Sequence, residues 1–269
     1  MAQAAEAAGF ESLWTVEHVV WPESYDSVYP YSRSGKMAGD ASVAIPDPLV
    51  WLSWVGAETT RIRLGTGILI LPLRNPLVLA KGLATLDEFS AGRVEAGVGV
   101  GWLEEEFVAL GVPFADRGRR TDDYIEAMRA VWASDDASHS GEFARFEGVS
   151  VNPKPVAGSI PVTIGGQSSA AARRAGRLGD GFFPGRSDPD DLRRLFTDAR
   201  GAAERQGRDP DSIRLSAVMP RGGLDNPQHA VEVLADLGVH RAIIPAFMVT
   251  RPDLETGMGK AAEVIAGFG

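Results

Sequence analysis

Short runs of β-branched and other apolar residues recur along the chain, separated by stretches in which apolar positions return with helical spacing. The runs predict strands at 12–17, 62–71, 94–100, 160–164, 181–183, 213–219 and 241–245, with helices at 76–88, 121–133, 170–178, 190–206 and 227–237. Strand and helix in regular alternation are the signature of βα units around a parallel sheet. The helix boundaries carry chemical signals. Pro76 and Pro227 each follow an Asn at a plausible first helical position, and Gly179, Gly207 and Gly238 follow helix ends.

Two stretches interrupt this plan and are expected to be insertions, at about 20–48 and 138–155, in one domain spanning 1–269. The first is rich in Tyr, Ser, Gly and Pro and has no period; structureless loops of that length are usually functional or disordered. The second reads as a short hairpin, 143–146 with 149–151, ending in the rigid run Asn152-Pro153-Lys154-Pro155. At the N-terminus a strong helix signal, Ala2 to Ala8 stopped by Gly9, has no strand before it. Seven strands are thus expected where a closed barrel has eight. The fold expected is an α/β TIM-type (β/α)8 barrel whose first strand is missing, through a misplaced start or a natural truncation, leaving open edges that invite association into a homo-oligomer such as a dimer.

Composition narrows the function classes. The chain has 269 residues, close to the roughly 250 of a single (β/α) barrel. No apolar run approaches the ~18 residues of a membrane span and no signal pattern opens the chain, so a cytoplasmic protein without a membrane partner is expected. The absence of cysteine excludes disulfides, thiolate metal sites and cysteine nucleophiles. His18, His139, His229 and His240 lack zinc-ligand spacing, and no Gly-x-Ser-x-Gly elbow is present. A net charge of −9 without a compensating basic block argues against a nucleic-acid partner. Catalysis must rest on other side chains or on a cofactor.

Three places can carry chemistry. Glu17 and His18 end the first predicted strand, where barrel enzymes collect catalytic groups. Histidine is the natural proton shuttle near neutral pH, although a lone histidine also serves structural roles. Period two puts Glu95, Gly97, Gly99 and Gly101 on one face of the strand leading to Trp102, and Gly65 and Gly67 recur around Thr66 on the strand before. Glycines weaken strand interiors, so their recurrence fits either a flat ligand against the backbone or an interior that admits only small residues. Finally, Thr163-Ile164-Gly165-Gly166-Gln167-Ser168-Ser169 reads as a strand, a Gly-Gly turn and a helix start. Backbone N–H groups there suit a phosphate, with Arg186 as an added cation; an ordinary helix cap is the plainer alternative.

Together these segments resemble the luciferase-like monooxygenase superfamily, in particular its coenzyme F-420-dependent oxidoreductase branch. The matching stretches are Gly9-Phe10-Glu11-Ser12-Leu13-Trp14 with Glu17-His18, Arg61 to Gly67, Arg74-Asn75-Pro76, Leu86 to Arg93, Gly97 to Trp102, Pro153-Lys154-Pro155, Ile164-Gly165-Gly166 and Leu178-Gly179-Asp180-Gly181. The resemblance implies that Glu17 and His18 lie beside the cofactor ring, with His18 as the active-site histidine. It implies that Thr66, Gly67 and Ile68 form the bulge, often a non-proline cis peptide, under the ring, with Gly99, Gly101 and Trp102 nearby. Gly165, Gly166, Gln167 and Ser168 would bind the phosphate, with Arg186. Trp102 stands where the sugar-phosphate dehydrogenases of the family carry a catalytic glutamate, which makes sugar-phosphate oxidation doubtful.

Three functions are therefore expected in order: hydride transfer between coenzyme F-420 and a small-molecule substrate, an FMN-dependent monooxygenase supplied by a separate reductase, and a non-catalytic flavin-binding or structural barrel.

Overall fold

The alternating pattern resolves into strands and helices in a computed structural model that describes residues 1–32, 34–250 and 253–268. In chain order, α1 (Ala2–Ala7) and β1 (Ser12–Thr15) lead through an irregular segment to α2 (Pro48–Glu58). Then come β2 (Arg63–Thr66), β3 (Leu69–Ile70), α3 (Pro76–Phe89), β4 (Val94–Gly99), α4 (Glu104–Ala109) and α5 (Arg117–Ala133). The hairpin of β5 (Ala137–Ser140) and β6 (Arg145–Val149) precedes β7 (Val162–Gly165), α6 (Ser169–Leu178), β8 (Gly181–Phe183), α7 (Pro189–Arg205) and β9 (Arg214–Val218). After these follow α8 (Pro227–Asp236), β10 (Arg241–Ile243), α9 (Ala246–Val249) and α10 (Leu254–Phe268). The residues divide into two compact units, one of Met1–Leu13, Glu58–Arg63 and Thr163–Gly269, the other of Trp14–Ala57 and Leu64–Val162.

In the first unit β7, β8, β9 and β10 pair in parallel, in sequence order, with Thr163 opposite Gly181, Phe182 opposite Leu215 and Ala242 opposite Ala217. Parallel neighbours need a crossover, which the helices between them supply. α6 starts where Ser168 Oγ accepts from the Ala171 amide, and α7 where Asp188 accepts from the Asp191 amide ahead of Pro189; each cap takes up an amide that the helix itself leaves unpaired. A small apolar core gathers Ala5, Ile62, Val249, Met258 and Ala261. Glu6 ties α1 to the segment before β2 by accepting from the amides of Ile62, Arg61 and Thr60, and these bonds hold its carboxyl near a pKa of about 2.

In the second unit both β2 and β3 pair in parallel with β4, Leu64 opposite Val94 and Ile70 opposite Gly99. The single strand expected at 62–71 is thus two short ones, divided at a cis Gly67–Ile68 peptide. The glycine stripes have a filler. A Cβ on Gly65 would sit 2.4 Å from the Trp14 indole, and one on Gly97 would lie 3.0 Å from that ring and 1.8 Å from the Thr66 carbonyl oxygen. Gly65 and Gly97 therefore make room for a side chain of β1, which decides for the small-residue interior over a ligand at those two positions. Gly101, at φ +80°, has Phe107 and Ile70 within 2.8 Å of where a Cβ would be.

The run Leu86 to Arg93 is a tethered turn. Buried Asp87 accepts from the Val94 and Val156 amides, while Arg93 donates to the carbonyls of Ser90 and Gly56. Lys154 closes a second turn by donating to the carbonyls of Val131 and Ser134.

Several expectations need correction. The hairpin exists, but its strands are Ala137–Ser140 and Arg145–Val149, because Asp123 on α5 takes the Phe143 and Ala144 amides and His139 Nε2 into one carboxylate and makes 143–144 the turn side. α5 begins at Arg117, four residues before the expected 121. α2 and α4, where the pattern predicts no element, are helical. In α2, apolar residues occupy both the buried face (Leu52, Val55) and the exposed one (Val50, Trp54), so no amphipathic period marks it.

Candidate active site

β1 delivers Glu17 and His18 at its C-terminal end, and the Gly67 amide holds that end by donating to the Thr15 carbonyl at 2.6 Å. The two neighbouring side chains then diverge in role. Glu17 is buried, and both of its oxygens are occupied: Oε2 accepts from the Ile70 amide at 2.6 Å and Oε1 from Arg74 Nε at 2.7 Å, with a second bond from the same guanidinium. Arg74 also donates to Asp47 at 2.7 Å. Burial outweighs Arg74 and raises the Glu17 carboxyl above its ordinary value. Glu17 thus fastens the strand end to β3 and to the residue before the Asn75 cap.

His18 faces another partner. Its Nδ1 lies 2.9 Å from Oε2 of Glu106, whose side chain is fully buried, while Glu106 Oε1 accepts from the amides of Val19 at 2.6 Å and Val20 at 3.3 Å. Against a carboxylate Nδ1 carries the hydrogen, leaving Nε2 as the nitrogen without one. The next residue back, Glu105, accepts from the Asp26 and Ser27 amides and from Ser27 Oγ; burial opposes ionisation there, but these bonds hold the carboxyl at about 2. Two successive glutamates at the start of α4 thereby hold the chain after β1 at two points, 18–20 and 26–27. Reading the sequence alone missed both. The available signal was Glu104-Glu105-Glu106 immediately after a Gly-rich strand, since acids in a first helical turn mark a helix start.

Aromatic rings surround His18. Trp21 and Trp102 lie with ring centroids 5.8 Å from its own, Trp102 also meets Tyr25 at 5.5 Å and Tyr29 at 5.0 Å, and Tyr31 meets Tyr29 at 5.3 Å. Trp102, expected to lie with the cofactor, is thus joined to His18 by a ring contact. Of the other positions expected in this unit, Thr66 is buried and donates to the Gly97 carbonyl at 2.7 Å, Gly99 is a buried strand residue paired with Ile70, and Gly67 and Ile68 are partly exposed at the cis peptide.

The phosphate candidates lie in the first unit. Gly166 adopts φ +138°, and a Cβ there would be 2.8 Å from that of Ala171, so the turn requires glycine. Its N–H points at the Phe183 carbonyl at 3.3 Å rather than away from the protein. Gln167 accepts from the Arg186 amide through Oε1, while its Nε2 is buried without a hydrogen-bond partner among the described residues. Ser168 caps α6, whose Ser169 and Ala170 amides have no carbonyl partner within the helix. Arg186 approaches this turn through its backbone; its residue is exposed.

The profile of the luciferase-like monooxygenase family matches residues 1–265, and the chain belongs to that family of oxidoreductases. A protein of Mycobacterium tuberculosis is 36% identical over 208 residues, which covers 77% of this chain and 72% of the other. An FMNH(2)-dependent dimethylsulfone monooxygenase of Pseudomonas putida is 29% identical over 241 residues, 88% of this chain and 61% of that protein. Among solved structures, the coenzyme F-420-dependent tetrahydromethanopterin reductase of Methanopyrus kandleri superposes with a TM-score of 0.79 at 19% identity, covering 99% of this chain and 93% of that one. A long-chain alkane monooxygenase gives 0.81 at 15% identity, covering 99% and 82%. The fold is therefore the luciferase-like TIM-type barrel fold. Among the described residues no helix is long and apolar enough to cross a membrane.

Proposed function

We propose that the protein transfers a hydride between coenzyme F-420 and a small organic substrate, with His18 as the proton carrier. The observation that carries this reading is the His18–Glu106 pair: a histidine at a strand end, its Nδ1 taken by a buried carboxylate, with Nε2 left to serve a reacting group. The cofactor, when bound, supplies the two-electron carrier. The chain's own residues do the rest. Glu106 orients the imidazole, His18 Nε2 holds or gives up the proton that accompanies the hydride, and Glu17 with Arg74 anchors the strand end without touching the chemistry.

The residues present fit a phosphorylated cofactor of this kind. Gln167 Nε2 is a buried donor lacking a partner among the described residues, beside a helix start whose first amides are not taken up within the helix. In this reading Gln167, Ser168 and the amides of Ser169 and Ala170 hold the phosphate, while Gly165 and Gly166 shape the turn. The second reading is an FMN-dependent monooxygenase fed by a separate reductase, and the likeness to the dimethylsulfone enzyme favours it.

Titrating the protein with reduced F-420 and with reduced FMN separates the two. Micromolar binding of F-420 alone supports the first reading, binding of FMN alone replaces it with the second, and binding of neither overturns both. His18→Ala is expected to lower turnover about 100- to 10,000-fold while leaving cofactor affinity within an order of magnitude; near wild-type turnover would remove His18 from the chemistry.

A further inference from the structure

α6 carries three arginines and no acidic residue, in a chain whose acidic residues outnumber its basic ones 36 to 27. Arg173, Arg174 and Arg177 return at helical spacing and share one face of the helix. α7 runs beside it in the same direction. Arg194, early in α7, donates to Ser169 Oγ at the start of α6. Toward the other end Gly176 admits α7 so closely that a Cβ there would lie 2.2 Å from the Ala199 carbonyl oxygen and 2.6 Å from the Ala202 Cβ. That approach brings the arginine face of α6 against the end of α7. Between the two helices lies a groove of about 250 Å³, lined by the three arginines and by Arg205 and Gln206, with alanines of both helices completing it.

Among the described residues no carboxylate lines the groove. The acids nearest along the chain are Asp180, 4.0 Å from Arg208, and Asp198 and Glu204 of α7, and none of the three belongs to the lining. Arg174 is buried, at 8% exposure, and both it and Arg177 interact with other groups of the protein. Arg173 and Arg205, one on each helix, are exposed and make no ion pair among the described residues. Like charges at i and i+4, as at Arg173 and Arg177, oppose helix formation, so the cluster does not serve the stability of α6. The carbonyl end of α6 would repel an anion if left bare. It is covered, because Arg208 donates to the carbonyls of Gly176 and Gly179 at 2.7 Å each.

We propose that this groove is a second anion site that takes a diphosphate group, held by Arg173 from one helix and Arg205 from the other, with Arg174 and Arg177 adding positive charge. Uncommitted guanidiniums on two walls suit two linked anionic groups better than a single phosphate, and each presents paired N–H donors that match phosphate oxygens. Volume limits what else enters. Sites that enclose a whole drug-sized molecule measure roughly 300–1,000 Å³, so a groove of about 250 Å³ holds the diphosphate and leaves any larger group attached to it outside. The site is separate from the turn proposed for the cofactor phosphate. Arg177 lies about 12 Å beyond Ser169 along the helix axis, at roughly 1.5 Å per residue. Binding here does not depend on the redox reading.

Calorimetry on the full chain at about 0.15 M salt tests this with pyrophosphate, inorganic phosphate and ADP. Pyrophosphate is expected to bind with a Kd of about 100 μM or below, and about tenfold or more tightly than inorganic phosphate. ADP bound at least as tightly as pyrophosphate identifies a nucleotide as the carrier of the diphosphate, and ADP bound more weakly identifies the free anion. Arg173→Gln and Arg205→Gln, both at exposed positions, should each weaken pyrophosphate about tenfold. Gln167→Ala, in the turn ahead of α6, should leave it unchanged. Pyrophosphate binding no tighter than phosphate, or unmoved by both arginine substitutions, overturns the proposal. Loss of binding in Gln167→Ala also overturns it, because the anion would then belong to the cofactor turn. Failure of both F-420 and FMN to bind would remove the redox reading and leave the result at the groove intact.

Discussion

Replacing Glu106 with Gln changes one atom type in the second unit and should disturb His18 without touching it. The carboxylate accepts from three donors, His18 Nδ1 at 2.9 Å, Val19 N at 2.6 Å and Val20 N at 3.3 Å, in a fully buried position. Hydrogen bonds to a charged acceptor contribute roughly 1.5–3 kcal/mol against about 1 for neutral ones. The amide oxygen of Gln can retain the two backbone donors at reduced strength, but its NH2 then faces the Nδ1 hydrogen. Relief comes only if His18 moves its proton to Nε2 so that Nδ1 accepts. The expected cost is about 2 kcal/mol, which in a chain of this size lowers Tm by roughly 4–8 °C. Turnover should fall about 100- to 10,000-fold, because the nitrogen presented to the reaction now carries a hydrogen permanently. The assay pairs thermal unfolding with the 15N spectrum of the imidazole, which reports the tautomer independently of activity, and Glu106→Asp should restore the Nδ1–H tautomer in part. A retained Nδ1–H tautomer together with turnover within an order of magnitude of wild type would refute the positioning role.

Gly166→Val is expected to weaken binding of phosphorylated cofactor far more than that of its phosphate-free ring analogue, since φ +138° and the 2.8 Å approach to Ala171 forbid the new side chain without moving the turn; equal loss for both ligands would show general disruption instead. Glu6 and Glu105, held at about 2 against an ordinary 4.5, and Asp123, whose carboxyl is lowered by His139 and two amides against the opposing pull of burial, bind protons more weakly folded than unfolded. Their stabilisation is therefore full above the ordinary carboxylate range and lost as pH falls toward 2, so Tm should drop steeply there; an identical acid limb in Glu105→Gln would remove that residue from the account. Val50 and Trp54 on α2 and Val78 and Phe89 on α3 are each more than 70% exposed, a density of apolar surface expected to be covered by a second copy. Trp54→Lys should then shift the protein from dimer to monomer in sedimentation, and a monomeric wild type would contradict this.

The order of strands and helices was legible because each βα unit announces itself twice, by its period and by its caps. Asn75 before Pro76 and Ser168 before α6 are both confirmed by amides bonded to their side chains. Where one of those signals is absent the reading fails. α2 is apolar on two faces, and the strand expected at 62–71 is interrupted by a cis peptide that no periodicity marks. Asn226, although it precedes Pro227 as Asn75 precedes Pro76, makes no side-chain cap bond, so the same dipeptide has two outcomes set by its surroundings.

The site was legible only in its first half, and the reason is one of distance along the chain. His18 stands at a strand end that the pattern predicts, but the group that gives it a direction lies 88 residues away. The glycines show the converse. Gly65 and Gly97 left open whether the space serves a ligand or a tight interior, and the occupant is Trp14, a residue with no periodic relation to either. In both cases a local signal marks a need, for a partner or for space, and a remote residue meets it. The Gly-rich strand and the acidic start of α4 therefore act together: the glycines let β2 and β4 close around Trp14 behind β1, and that approach precedes the turn in which Glu105 and Glu106 receive the chain beyond His18. Substituting Gly97 with Ala should for this reason cost more than packing in its own strand. With the Thr66 carbonyl oxygen 1.8 Å from the new Cβ, β2 and β4 must separate. Weaker protection of the Val19 and Asp26 amides in hydrogen exchange is the expected consequence, and unchanged protection at both would show that the strands and the α4 clamp are independent.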